Sequence, residues 1–273
     1  MGHPLTIRII AEAGENHLGD MHRALEMVRL AAANGADFIK FQSFSPDDLN
    51  AQADDETRAW VQRVALSEAN HQRLFDEAAA RGITFLSTAV NVRWAAFLRD
   101  LGCHALKLAS LSLVNRPLLE FAGTHFDEVF VSTGMGDVEE IGSALEALGP
   151  RPRVTVLHCV SEYPLPDTHA SLMSIPYMLE RFERPTGYSD HTIGTTACIA
   201  AAALGAELIE KHFTLDKTLE GTDHILSADP AELAEICQAS RRVSVMLGES
   251  DKRPGADELK NRDAARRLFV EGT

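Results

Sequence analysis

The sequence predicts an α/β fold, a closed (β/α)8 TIM barrel, on three observations. Short apolar runs with strand character alternate eight times with stretches of helical periodicity. No hairpin signal joins consecutive strands, so the sheet is parallel and eight repeats close it. The 273-residue chain also matches the roughly 250 residues such a barrel needs. A doubly wound open sheet is the alternative, and it lacks support because no strand runs into GxGxxG.

The elements follow in order. Thr6 to Gly14 is the first strand, and Asp20 caps a helix over 21–33 that Asn34-Gly35 stops. Asp37 to Phe44 is the second strand. Residues 45–66 form a long, irregular or partly helical insertion rich in Asp and Gln. Ser67 caps a helix over 67–80, ended by Arg81-Gly82. Strands at Ile83–Thr88, Ala105–Ser110, Glu128–Thr133 and Val154–Cys159 then alternate with helices at Val92–Leu101, after Pro117, at Val138–Leu148 and at Leu172–Phe182. Strands ending at Thr192 and Thr214 follow, with the helix ending near Ala206 between them. A last helix spans Pro230 to Leu247, with Pro in its first turn. The barrel domain is placed at 1–250 and a C-terminal extension at 251–273.

Composition narrows the function. The formal charge of −14 opposes nucleic acid and anionic membrane, so neither is an expected partner. No apolar run reaches the roughly 18 residues of a membrane span and no signal peptide opens the chain, which predicts a cytoplasmic protein. Cys103, Cys159, Cys198 and Cys237 form no CxxC pair and read as free buried thiols. Three of the six lysines, Lys40, Lys107 and Lys211, lie inside apolar strand runs, where an ammonium is costly unless paired or functional.

Barrels of this type build their sites at the C-terminal strand ends. Here those ends offer Glu12, Asn16 and His17; Lys40 and Gln42; Ser87 and Thr88; Lys107 and Ser110; Ser132 and Thr133; His158, Ser161 and Tyr163; Ser189, Asp190 and His191; Glu210 and His212. Any one has a structural explanation, such as a helix cap or a hydrogen-bonded core histidine. Eight polar termini together point to a site. Alternation puts Glu210 and His212 on one face and turns Lys211 away, toward a structural ion pair. Two lysines with several hydroxyls fit an anion carrying carboxylate and phosphate. His191 and His212, with Glu210 and Asp223 nearby, fit a divalent ion held by few protein ligands. A mixed histidine site favours manganese, iron or zinc.

Seven motifs then line up: Ala11-Glu12-Ala13-Gly14-Glu15-Asn16-His17, Lys40-Phe41-Gln42, Lys107-Leu108-Ala109-Ser110, Ser132-Thr133-Gly134-Met135, His158 to Pro164, Gly187 to Thr192, and Glu210-Lys211-His212-Phe213-Thr214. In order and spacing, from about residue 7 to 268, they resemble the sialic acid synthase (N-acetylneuraminate synthase) family. The resemblance implies condensation of phosphoenolpyruvate with the open-chain aldehyde of an N-acyl amino sugar similar to N-acetylmannosamine. The products are a nonulosonic (sialic) acid and phosphate, released by C–O cleavage. It implies His191 and His212 as ligands of a divalent metal, Mn2+ first, with Mg2+ or Co2+ as alternatives. Lys40, Thr88, Lys107, Ser110, Ser132 and Ser189 resemble the groups that hold phosphoenolpyruvate. Ser161 stands where many members have an asparagine phosphate contact. Glu12 and Gln42 fall beside the reacting carbons, Tyr163 and Asp223 face the sugar, and Glu210 is a carboxylate near the metal. A homodimer is implied as well.

Two further departures from the family pattern accompany Ser161. Ala89 stands where proline commonly follows the strand-three threonine. Family members usually carry a C-terminal antifreeze-like domain, and Lys252 to Arg267 resembles the segment leading to it. No residue here matches the partner-subunit arginine that contacts the sugar's N-acetyl group in the family. Two other readings stay open: a barrel-only homologue acting on a different aldehyde, and a non-catalytic binding subunit.

Overall fold

The computed structural model describes residues 7–221, 223–248 and 251–269. Eight parallel strands close in sequence order: β1 (Arg8–Glu12), β2 (Phe38–Ser43), β3 (Thr84–Ala89), β4 (Ala105–Leu108), β5 (Glu128–Ser132), β6 (Arg153–Cys159), β7 (Thr186–Asp190) and β8 (Leu208–His212). The helices on the outside are α1 (Met21–Ala33), α2 (Asp55–Val64), α3 (Glu68–Arg81), α4 (Val92–Leu101), α5 (Arg116–His125), α6 (Val138–Leu148), α7 (Ser174–Phe182), α8 (Thr196–Ala203) and α9 (Pro230–Leu247). A tenth, α10 (Ala256–Phe269), follows and buries no residue. Thr6, the boundary at 250 and residues 270–273 fall outside the described residues.

The caps read from sequence form. Asp20 accepts from the amides of His22 and Arg23, and Ser67 accepts from that of Asn70. These side-chain oxygens satisfy amides that have no partner in the first helical turn. The 45–66 insertion contains α2 as a full helix, capped by Asp54. Its amphipathic face is short, with only Val61 and Val64 buried, which is why periodicity alone did not define it. Among the described residues no helix is long and apolar enough to cross a membrane.

Side-chain alternation divides each strand between two compartments. Outward residues such as Ile9, Ile39, Leu106, Val129 and Ile209 join the large core under the helices. Inward, Ile10, Phe38, Leu86, Ala105, Phe130, Leu157 and Leu208 form a separate apolar plug across the lower barrel. One step further along the same faces, the inward residues become polar: Glu12, Lys40, Thr88, Lys107, Ser132, Ser189 and Glu210. Register sets the neighbours, with Glu12 beside both Lys40 and His212, Thr88 beside Lys107, and Ser189 beside Glu210.

Lys211 does turn away from the barrel interior. Its Nζ donates to Asp190 Oδ2 at 2.7 Å and to the Thr192 carbonyl. Asp190 also accepts from Tyr188 Oη at 2.9 Å and from the Thr192 amide at 2.9 Å. Both charges are fully buried and hydrogen-bonded, so together they clamp the turn carrying His191 to the strand carrying His212. Asp190→Ala is expected to cost about 3–5 kcal/mol, because it leaves a buried ammonium unpaired. Urea unfolding checks this. The double variant Asp190→Ala with Lys211→Met is expected to recover part of the loss.

Candidate active site

A pocket of about 460 Å³ opens at the C-terminal ends of the strands. It is lined by Glu12, Lys40, Gln42, Thr88, Lys107, Ser110, Ser132, Tyr163, Ser189, His191, Glu210, His212 and Asp223. Thus thirteen of the fourteen residues named above as phosphoenolpyruvate, sugar, metal or catalytic positions line one pocket, and one is left out. That one is Ser161, which lines the neighbouring crevice between α6 and α7 with Thr133 and His158. It stays close: a Cβ built on Gly134 would meet both Ser161 Oγ and Ser110 Oγ, at 2.3 and 2.8 Å. Gly134 is therefore the thin partition between crevice and pocket, and its lack of a side chain is what allows both serines to approach.

A charge quartet forms the pocket floor. Lys40 Nζ lies 2.8 Å from Glu12 Oε1 and 3.9 Å from Glu210 Oε2, and Lys107 Nζ lies 3.8 Å from Glu210 Oε1. All four side chains are buried. Gln42 Nε2 donates to Glu12 Oε1 at 3.1 Å, and Ser189 Oγ donates to Glu210 Oε1 at 2.9 Å. Burial disfavours every one of these charges. For Glu12 burial prevails, and its carboxyl is pushed above the usual range despite Lys40. For Glu210 burial is outweighed by Lys107 and Lys40, which hold it down at about 2. Lys40 is raised because Glu12 and Glu210 together outweigh the penalty of burying it. Lys107 is lowered by burial, with Glu210 opposing.

The lysines also orient hydroxyls. Lys40 Nζ donates to Thr88 Oγ1 at 3.0 Å and Lys107 Nζ donates to Ser132 Oγ at 2.7 Å. Ser110 Oγ accepts from the Gly134 amide at 3.0 Å. A hydroxyl that accepts from an ammonium or amide keeps its own hydrogen to donate. Thr88 and Ser132 therefore present O–H donors beside two cations, a donor set suited to an anion, while Ser110 Oγ donates to Cys159 Sγ at 3.7 Å.

The metal reading can be tested on the nitrogens. His191 Nδ1 is 2.7 Å from the Val160 carbonyl, which fixes the N–H there and leaves Nε2 a lone pair. Burial and the neighbouring His212 hold His191 down at about 4, so the ring is neutral near pH 7. His212 is likewise lowered by burial. Its Nδ1 is buried without a hydrogen-bond partner, 3.5 Å from Asp223 Oδ2. The two ring centroids are 5.4 Å apart. Two neutral imidazoles with a free lone pair and an adjacent carboxylate fit a divalent cation. No cluster of three or more His, Cys, Asp or Glu side chains that could hold a metal is assembled among the described residues, so a cation here would have these two imidazoles as its main protein ligands. Glu12 Oε2 and Glu210 Oε2 are buried without partners in the same pocket.

Several polar strand-end residues have structural work instead. Asn16 Nδ2 donates to the Phe213 carbonyl and to Ser227 Oγ, tying the loop after β1 to the loop after β8. His17 Nδ1 accepts from the Gly19 amide. Ser87 shares its hydroxyl with Ser43, Thr133 donates to the Leu157 carbonyl, and His158 Nε2 contacts the Ala170 carbonyl. Ser87, His158 and Asp190 are on outward strand positions, so alternation excludes them from the pocket. Conversely, six lining residues went unselected in the sequence, Cys159 and Glu15 among them. Cys159 points inward with Leu157, and Glu15 stands on the pocket wall above Glu12. Trp60 Nε1 on α2 donates to Glu15 Oε2, a tertiary contact that no local pattern announces.

Comparison with known proteins places this geometry. The chain is 37% identical over 279 residues to an N,N'-diacetyllegionaminic acid synthase of Campylobacter jejuni, covering 96% of this chain and 84% of that protein. It is 33% identical over 258 residues to the mouse N-acetylneuraminate-9-phosphate synthase, covering 89% of this chain and 72% of the relative. A crystal structure of an N-acetylneuraminic acid (sialic acid) synthetase from Leptospira borgpetersenii, in complex with citrate, superposes with a TM-score of 0.91 at 33% identity. That match covers 98% of this chain and 93% of the other. The family model described as "NeuB family" matches residues 27–252, a span that takes in six of the seven motifs, and so this chain belongs to the NeuB family.

Proposed function

We propose that the protein condenses phosphoenolpyruvate with the open-chain aldehyde of an N-acyl amino sugar, giving a nonulosonic acid and phosphate. The observation that carries the reading is the pairing of two buried lysines with hydroxyls left free to donate, Lys40 with Thr88 and Lys107 with Ser132. Burying two ammonium groups is costly; Glu12 and Glu210 offset part of that cost, and an anionic ligand accepting from Lys40 and Lys107 would offset more. Ser110 and Ser189 lie beside this set with their hydroxyls donating to Cys159 Sγ and Glu210 Oε1, and Ser161 stands behind Gly134 as a further hydroxyl.

His191 and His212, with Asp223 beside them, would hold a divalent cation, most simply manganese, which supplies a Lewis acid for a carbonyl oxygen. The chain's own residues do the rest. Lys40 and Lys107 hold phosphoenolpyruvate with C3 facing the aldehyde carbon, so that the two reactants meet in near-attack geometry. As the C–C bond forms, positive charge develops at C2. Glu12, with Oε2 unpartnered, stabilises that charge and takes a proton from the water adding at C2, and the tetrahedral carbon then collapses to the ketone, breaking its C–O bond to phosphate and releasing it. Gln42 fixes the Glu12 carboxylate by its hydrogen bond. Glu210 balances both lysines from below. Tyr163 and Asp223 line the side from which the sugar enters.

Phosphate release from phosphoenolpyruvate is the assay, with manganese present and N-acetylmannosamine added or withheld. Release that requires the sugar is expected, and chelation by EDTA is expected to suppress it at least 100-fold, with recovery on adding Mn2+. Release only with some other aldehyde transfers the chemistry to a different acceptor. No release with any aldehyde identifies a binding subunit and ends the proposal. The relatives' names include both a free and a 9-phosphorylated acid, so the charge of the acceptor is the next question.

A further inference from the structure

The pocket wall on the acceptor side carries carboxylates and no cation. Glu15 lies on the loop after β1, half-buried, and lines the pocket together with Asp223 from the loop after β8. The only lysines in the lining are Lys40 and Lys107, on the floor, and both are engaged with Glu12 or Glu210. The pocket is built for a ligand, since Glu12 Oε2, Glu210 Oε2 and His212 Nδ1 are buried and unpartnered in it. Glu15 is also held in place. The Trp60 indole, a donor only, binds its Oε2, while Oε1 has no hydrogen-bond partner among the described residues. Trp60 belongs to α2, whose C-terminal end is pressed against the same loop: a Cβ on Gly19 would meet the Arg63 carbonyl at 2.1 Å. Arg23 keeps Nη1 buried without a partner near His17 and His224, outside the pocket lining, and Arg63 stacks on Trp60 with its guanidinium carbon 5.7 Å from the ring centroid. It lines the adjoining crevice with Glu56 and Glu220, and does not line the pocket.

The geometry points to Glu15, braced by Trp60, as a specificity-determining residue that selects an uncharged, donor-rich acceptor and rejects one bearing a phosphate. The inference rests on the condensation proposed above. An acceptor with its aldehyde end at the two histidines extends outward past Asp223 and Glu15. Hydroxyl or amide hydrogens there find Glu15 Oε1 as an acceptor. A phosphate there meets two carboxylates with no lysine or arginine lining the wall beside them, and like charges at a partly desolvated contact are strongly disfavoured. Burial raises the Glu15 carboxyl, with the Trp60 hydrogen bond opposing, so the discrimination is expected to weaken as pH falls.

Steady-state phosphate release tests this with N-acetylmannosamine and its 6-phosphate as paired acceptors. The wild-type protein is expected to favour the neutral sugar in kcat/KM on the order of 100-fold. Glu15→Gln is expected to narrow that ratio roughly tenfold or more while KM for phosphoenolpyruvate stays unchanged. Trp60→Phe, which removes only the indole donor, is expected to raise KM for the neutral sugar and leave kcat nearly intact. A wild-type preference for the 6-phosphate, or a ratio unmoved by Glu15→Gln, overturns the inference while leaving the condensation standing. Equal loss with both acceptors in both variants shows a merely structural role and also overturns it. Absence of release from the wild-type protein with any aldehyde removes the condensation reading, and this inference with it.

Discussion

Replacing Lys107 by methionine is expected to lower kcat/KM for phosphoenolpyruvate by roughly 10²–10³-fold, the scale of losing one partner from a buried charge pair. Methionine keeps most of the lysine stem, so the packing around β4 is preserved. What disappears is one of two cations on the pocket floor, the donor that orients Ser132, and the nearer counter-charge to Glu210 Oε1. The remaining lysine, Lys40, is already shared between Glu12 and Glu210. The loss should therefore appear as weaker phosphoenolpyruvate binding, measurable by calorimetry, as well as in turnover. A variant that binds phosphoenolpyruvate as tightly as the wild type would place the anion elsewhere. Ser132→Ala is the graded companion: it removes the hydroxyl and leaves the charge, so its effect should be smaller by an order of magnitude or so.

His212→Ala is expected to reduce turnover by roughly 10³-fold or more, the scale at which a Lewis acid contributes several kcal/mol to a transition state. Phosphoenolpyruvate affinity should change only a few-fold, because the anion is held by the lysines and hydroxyls on the floor. The two measurements separate the roles: Mn2+ binding followed by electron paramagnetic resonance should be lost, and phosphoenolpyruvate binding kept. The structural reason is specific. His212 Nδ1 is buried with no hydrogen-bond partner, and Asp223 Oδ2 is too distant, at 3.5 Å, for a strong bond. A buried nitrogen left in that state is costly unless something occupies its lone pair. Unchanged turnover in His212→Ala would sink the metal assignment.

The barrel was legible because its signal is redundant. Strand and helix alternate regularly, and the caps at Asp20 and Ser67 close their helices where the sequence says they should. The site was legible where inward and outward faces differ chemically. In β8, Glu210 and His212 flank Lys211, and alternation alone separates a pocket residue from a buried ion pair. Where both faces are apolar, parity gives no warning. In β6, Val154 and Val156 share one face with His158, and Leu157 shares the other with Cys159, so nothing local marks which of the last two enters the pocket. The structure turns Cys159 in and His158 out. Ser161 sits one step beyond the strand, where alternation no longer applies, and the turn carries it behind Gly134. Glu15 could not be read at all, because its partner Trp60 is 45 residues away on a helix of the insertion.

The central claim is that one pocket joins the carbons of phosphoenolpyruvate to an aldehyde. Carbon-labelled phosphoenolpyruvate, incubated with N-acetylmannosamine and Mn2+, tests it by mass spectrometry of the products. The account predicts a single sugar acid carrying all three labelled carbons, formed one for one with phosphate. Labelled pyruvate with phosphate and no labelled sugar acid would contradict it, since that outcome is hydrolysis without carbon–carbon bond formation.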